Sequence, residues 1–243
     1  MLRSLAARTP TWLKRYVRRA VLEPARRQID DWALGRAIKL LRSSASADRA
    51  LLASMRRAWG NEAYSADLTY LGEVAARVSS CSGPVLECGT GLTTILAGVL
   101  AERSGVIVHS LEQDSAWAEV VERALTKYRI RQVLVTYAPL RQYDGFVWYD
   151  RIAMLDFPKW FELVLCDGPA VLEHWEPEVH AQWRYGVLPA LAARSAGAGE
   201  ILLEDADESR AEAVLGRWQV EFGTRHRLIH SADGAYAAVS CRR

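Results

Sequence analysis

The chain has 243 residues, half of them apolar, with a formal net charge of +2. That length fits one α/β domain with room for an N-terminal extension. Eleven Lys or Arg fall between Met1 and Arg42 against three acids, so the remainder is net acidic, as suits an enzyme rather than a nucleic-acid platform. The four cysteines show no CxxC spacing, which argues against a metal or disulfide framework and for a reducing cytoplasm. No apolar run reaches the length of a membrane span and no secretory core is present.

Met1 to Gln28 is Arg-rich, with Glu23 as its one acid. Leu2, Leu5, Trp12, Leu13, Tyr16, Val17 and Val21 recur at helical spacing, with Lys14, Arg15, Arg18 and Arg19 opposite. Thr9-Pro10 reads as an N-cap followed by proline in the first turn, and Pro24 as the end of that helix. Three readings stay open: a helix packed on the domain or on a partner subunit, a peripheral helix on an anionic membrane, or a transit peptide. A second helix is expected over Ile29 to Leu41, with Ile29, Trp32, Ala33 and Leu40 inward. Ser43-Ser44-Ala45-Ser46 is the expected boundary, dividing a basic helical extension, 1–45, from the main domain, 46–243. Asp48 is placed to cap a helix carrying Leu51, Leu52 and Met55. Trp59 to Ser65 is either a segment that closes over a ligand or a packed connector. Leu68, Leu71, Val74 and Val78 then mark an amphipathic helix.

Pro84 to Thr94 follows, a short apolar strand, a glycine turn and a helix start: Val85-Leu86-Glu87-Cys88-Gly89-Thr90-Gly91-Leu92-Thr93-Thr94. This is the layout of a nucleotide-type site. A dinucleotide fingerprint would have a third glycine where Thr93 stands, and no Lys follows the turn as a Walker loop requires. Glu87 would repel a phosphate. A ligand with a cationic end and no phosphate fits better, and S-adenosylmethionine is one. The segment Glu87-Cys88-Gly89-Thr90-Gly91 resembles the acidic glycine-rich first motif of the class I S-adenosylmethionine-dependent methyltransferases, and later matches extend the resemblance from about Trp59 to the C-terminus. It implies that Glu87, Gly89, Thr90, Gly91 and Thr93 bind the cofactor.

Val106 to Leu111 is the second expected strand, ending at Glu112, 21 residues beyond Gly91. An acid at that distance accepts hydrogen bonds from two ribose hydroxyls, and Glu112 resembles the family's ribose-binding acid. Gln113 beside it is assigned to the same site. Asp114 is placed to cap the next helix, on which Trp117 either flanks the adenine or joins the core. Arg131 to Thr136 is the third strand. At its tip the resemblance places adenine contacts on the backbone, here at Ala138. The aromatic run Tyr143 to Asp150 either lines an acceptor pocket or forms a hydrophobic flap.

Phe161 to Cys166 is the fourth strand and Asp167-Gly168-Pro169 its turn, which puts a carboxylate at the ligand-binding edge of an open sheet. That turn resembles the fourth motif of small-molecule O-methyltransferases, and Asp167 is the expected catalytic residue that orients or activates the acceptor. The family's strand order would place Cys88 beside Cys166 as small buried hydrophobes. Metal-dependent members of the family hold Mg²⁺ with one Asp after the fourth strand and an Asp-Asn pair after the fifth. Asp167 and Asp205 match the two acids, but Ala206 replaces the Asn and Ala170 the nearby Lys. No metal ligand is therefore assigned, and Mg²⁺ stays open only as an ion held weakly by two carboxylates plus waters. His174 is an alternative base or a surface residue. Arg184 either orients an acidic substrate group or pairs with a surface acid.

Glu200 to Asp205 is the fifth strand with an acidic tip, followed by a helix from Ala206 to Trp218. Asp233-Gly234 signals a terminal hairpin between Val220–Ile229 and Tyr236–Cys241. The expected fold is an α/β, Rossmann-like doubly wound sheet, mostly parallel, with a C-terminal antiparallel hairpin. The expected function is methyl transfer from S-adenosylmethionine to a small-molecule acceptor at oxygen, without nucleic acid. The alternative is a non-catalytic adenosylmethionine or nucleoside binder serving as a scaffold or partner subunit.

Overall fold

The computed structural model describes residues 29–61, 64–170, 184–206 and 209–241. The basic segment from Met1 to Gln28 and the alternative base His174 lie outside the described residues.

Three helices precede the sheet: α1 (Asp31–Ser43), α2 (Arg49–Trp59) and α3 (Leu68–Ser80). Each begins at an aspartate whose carboxylate accepts from the first free backbone N–H groups. Asp30 takes Ala33 N, Asp48 takes Leu51 N, and Asp67 takes Thr69 N and Tyr70 N. Gly60, at φ +73°, ends α2 in the left-handed conformation that glycine allows. The inward face of α1 differs from the one expected. Leu34, Ala37, Ile38 and Leu41 are buried, whereas Trp32 is 74% exposed and Leu40 49%. This helix is built into the domain: Asp30 N donates to Ala58 O, and Arg42 bonds the carboxylate of Glu102.

The remaining elements alternate as in a doubly wound fold. They are β1 (Val85–Cys88), α4 (Leu92–Ala101), β2 (Val108–Glu112), α5 (Ser115–Lys127) and β3 (Val133–Tyr137). An antiparallel hairpin follows, β4 (Leu140–Tyr143) with β5 (Phe146–Tyr149). Then come β6 (Trp160–Cys166), α6 (Val187–Ala192), β7 (Gly197–Glu204), α7 (Ser209–Phe222), β8 (Arg225–His230) and β9 (Ala235–Ser240). Seven strands form one sheet in the order β3-β2-β1-β6-β7-β9-β8. β9 runs antiparallel to both its neighbours and every other pairing is parallel. The expected doubly wound sheet and its terminal hairpin are both present.

Alternation along the central strands feeds two cores. Val85, Val108, Leu163, Leu165 and Leu202 pack with α1 to α4 on one face. Leu86, Cys88, Val164, Cys166, Ile201 and Leu203 pack with α6, α7 and the hairpin on the other. Strands buried on both faces read as continuous apolar runs, which is why β1 and β6 stand out in the sequence. The aromatic run is not a loop: Phe146, Val147, Trp148 and Tyr149 are all buried in β5. Cys88 and Cys166 are register partners, fully buried and free.

Candidate functional site

β1 lies between β2 and β6, so connections leave it in opposite directions and a crevice opens at its carboxyl end. There the chain turns at Gly89, with φ +93°, a conformation that suits glycine. A Cβ at Gly89 would also stand 3.0 Å from the Cα and N of Gly168. The turns after β1 and β6 therefore meet backbone to backbone, and Asp167 N donates to Cys88 O at 3.1 Å. Gly91 is under no such demand. Its φ of 172° is ordinary extended backbone, and a Cβ there would meet nothing within 4 Å. Open space thus flanks the turn where α4 begins, at a helix N-terminus.

Glu87 is fully buried. Its Oε2 accepts from Ser110 Oγ at 2.5 Å and from Thr94 Oγ1 at 2.8 Å. Thr94 Oγ1 in turn accepts from Gly91 N at 2.8 Å. Glu87 Oε1 has no hydrogen-bond partner among the described residues. Burial raises its pKa to about 7, against the opposing pull of the Ser110, Thr94 and Thr93 hydroxyls. Desolvation outweighs three hydrogen bonds because it acts on the whole charge. Glu87 ties the glycine turn to α4 and β2 from inside, and Thr93 is buried with it.

Glu112 closes β2. Its Oε2 accepts from Thr90 N at 3.0 Å and Thr90 Oγ1 at 2.7 Å, while Oε1 accepts from Gln113 N at 2.7 Å and Asp114 N at 2.9 Å. Four donors on a carboxylate's four acceptor positions fix its plane beside the glycine turn. Trp117 Nε1 donates to Thr90 O at 2.9 Å, and its ring meets Trp59 edge-on at 5.9 Å. Gln113 reaches across the crevice: its Nε2 donates to Ala170 O at 3.2 Å and its Oε1 accepts from Ala170 N at 3.0 Å. Ala138 is fully buried, and its N donates to Glu112 O at 2.7 Å.

After β6 and β7 the chain gathers Asp167, Glu204 and Asp205, with one carboxylate oxygen of each within 4.8 Å of the others. Arg184 is buried among them. Its Nη2 bonds Asp205 Oδ2 at 2.8 Å and Asp167 Oδ1 at 3.3 Å, and its Nη1 bonds Glu204 O. Burial works to lower the Arg184 pKa, but Asp167, Asp205 and Glu204 together outweigh it and raise it. Burial first, and then Asp167, push Glu204 well above the usual carboxylate range. A divalent cation is poorly served by this cluster, because it would have to displace the guanidinium that already holds two of the three acids.

Sequence-predicted residues from β1, β2, β3 and β6 thus converge on one crevice. Arg184 pairs with two acids of the site, Asp167 and Asp205, whose side chains are 26% and 48% exposed. Glu204, Ser110, Thr94 and Tyr149 were not singled out by the sequence. Glu204 adjoins Asp205 and Tyr149 lies in the aromatic run, whereas a serine inside an apolar strand gives no signal by itself.

No protein-family profile matches the chain, and none of the curated proteins does. Solved structures do share its fold. Podospora anserina methyltransferase PaMTH1, bound to S-adenosylhomocysteine, is 10% identical over 87% of this chain and 88% of that one, with a TM-score of 0.56. The N-terminal domain of human METTL16, in complex with S-adenosylhomocysteine, is 14% identical over 79% and 80%, with a TM-score of 0.52. A Klebsiella pneumoniae protein assigned as an O-methyltransferase is 13% identical over 95% and 96%, with a TM-score of 0.50. The chain has the class I methyltransferase fold.

Proposed function

We propose that this chain is an S-adenosylmethionine-dependent methyltransferase acting at oxygen on a small-molecule acceptor. The observation that carries this reading is one glycine turn after β1 flanked by two carboxylates on the strands to either side, Glu112 at the tip of β2 and Asp167 after β6. Two of the compared structures hold S-adenosylhomocysteine in the same fold. The donor set fits the cofactor: the crevice gathers acids, leaves space beside Gly91 and offers no phosphate-binding Lys.

Bound S-adenosylmethionine supplies a methyl group made electrophilic by its sulfonium. Glu112 accepts from the ribose hydroxyls. Of its four present donors, the Thr90 hydroxyl is the one free to rotate away. Gly89 and Gly91 let the main chain approach the methionyl half, and the backbone at Ala138 faces the adenine. Asp167 orients the acceptor hydroxyl and takes its proton as the new C–O bond forms.

Calorimetric titration with S-adenosylhomocysteine tests this, run on the wild type and on Glu112→Ala. Wild-type affinity on the order of micromolar is expected, reduced at least roughly tenfold in the variant because a charge-assisted bond is lost. No binding by a folded wild type overturns the reading. A non-catalytic binder is the second reading, and the pairing of Asp167 with Arg184 favours it, since a carboxylate committed to a guanidinium is a weaker proton acceptor. Cofactor binding without methyl transfer to any of a panel of phenols and carboxylates would select that second reading.

A further inference from the structure

We propose that the phenol of Tyr149 is a ligand-binding group of this site, donating a hydrogen bond to an oxygen of the bound adenosyl ligand. This deepens the cofactor reading above and rests on it. Tyr149 ends β5 and is fully buried. Its hydroxyl has no hydrogen-bond partner among the described residues. Buried hydroxyls are normally paired, and an unpaired one carries its whole desolvation cost.

The position of that hydroxyl points to the crevice. It lies against the Asp-Gly-Pro turn, where a Cβ built on Gly168 would overlap it, and Gly168 itself packs on Gly89. Glycine at 168 leaves room for the phenol. The ring is held in place from behind: Tyr143 Oη donates to Tyr149 O at 3.2 Å, Asp150 N donates to Pro139 O at 2.8 Å, and Trp148 meets the ring edge-on at 5.0 Å. Burial first, and then Glu112, Cys88, Cys166 and Asp167, hold the phenol's pKa well above its ordinary value. It therefore stays a neutral O–H donor, set against the Asp-Gly-Pro turn. A group fixed in advance loses little entropy on binding.

The test is Tyr149→Phe, which removes one oxygen and keeps the ring. S-Adenosylhomocysteine affinity is expected to fall roughly five- to tenfold, as for one lost hydrogen bond. The ligand-free melting temperature is expected to stay equal or rise, because an unpaired polar atom has been removed. A purely structural tyrosine would give the reverse, a lower melting temperature with unchanged affinity, and that result overturns the inference. Equal affinity at equal stability overturns it as well, while leaving the cofactor reading intact. A wild type that binds no S-adenosylhomocysteine overturns both.

Discussion

Arg184 Nη2 bonds Asp205 Oδ2 at 2.8 Å and Asp167 Oδ1 at 3.3 Å, joining the turns after β7 and β6 through one buried guanidinium. Its side chain is 5% exposed, so water cannot replace it. Arg184→Met would leave three acids close together without their cation. Breaking a fully buried pair from one side costs about 3–5 kcal/mol. The cost is reduced here because the Asp167 and Asp205 side chains are 26% and 48% exposed, so a loss of about 2 kcal/mol is expected. That lowers the melting temperature by roughly 5 °C in a domain of this size. Calorimetric melts would check this. A loss under about 1 kcal/mol would mean that the acids relax into solvent.

The same guanidinium answers the question of a metal. Because Arg184 holds Asp167 and Asp205, adding Mg²⁺ or EDTA should change neither the wild-type melting temperature nor its S-adenosylhomocysteine affinity. A specific ligand of the folded state at a hundred times its Kd would add about 2.7 kcal/mol. A Mg²⁺-dependent rise in melting temperature that Asp205→Asn abolishes would show that the cluster accepts a cation.

Gly89 and Gly91 should separate folding from binding. Gly89→Ala places a Cβ at φ +93° and 3.0 Å from the backbone of Gly168, so a loss of about 2 kcal/mol is expected. Gly91→Ala meets no atom within 4 Å and no strained φ, so stability should hold within about 0.5 kcal/mol or improve slightly. Affinity for S-adenosylhomocysteine should still fall, because the added methyl enters the space beside the turn. Chemical denaturation and calorimetric titration read the two effects apart. Unchanged affinity in Gly91→Ala would place the ligand elsewhere.

The strands were legible because buried parallel strands read as apolar runs, and the crevice because strand, glycine turn and helix stand in sequence from Val85 to Leu100. The order of the strands came only from the resemblance to class I methyltransferases. The phase of α1 was misread because Trp32 and Leu40 drew the inward face, although Leu34, Ala37, Ile38 and Leu41 carry the i, i+3, i+4, i+7 spacing. The hairpin was legible and passed over. Asp144-Gly145, just before the apolar run Phe146 to Tyr149, is a two-residue turn signal, and Gly145 has φ +74°. The burial of Glu87 was not legible. It depends on Ser110, which lies on the neighbouring strand 23 residues away. The partners of Arg184 come together only through the crossover between β6 and β7.

Glu87 makes the last prediction, a pH dependence. Its folded pKa of about 7 lies above the ordinary 4.5, so the fold prefers the neutral carboxyl. The stability this contributes is fully present below pH 4.5 and is lost as pH rises through 7. At about 1.4 kcal/mol per unit, the full span is on the order of 3 kcal/mol. Glu87→Gln stays neutral throughout. Its amide oxygen can accept from Ser110 and Thr94, while its NH₂ takes the place of the unpaired oxygen at a cost that does not vary with pH. Stability of the variant relative to wild type should therefore rise between pH 5 and pH 8. Glu204 titrates with the same sign, but it is present in both proteins and cancels in the difference. Melts of the two proteins at four or five pH values decide the point. A constant difference across that range would mean that Glu87 is already ionised within the fold and that a cation compensates it there.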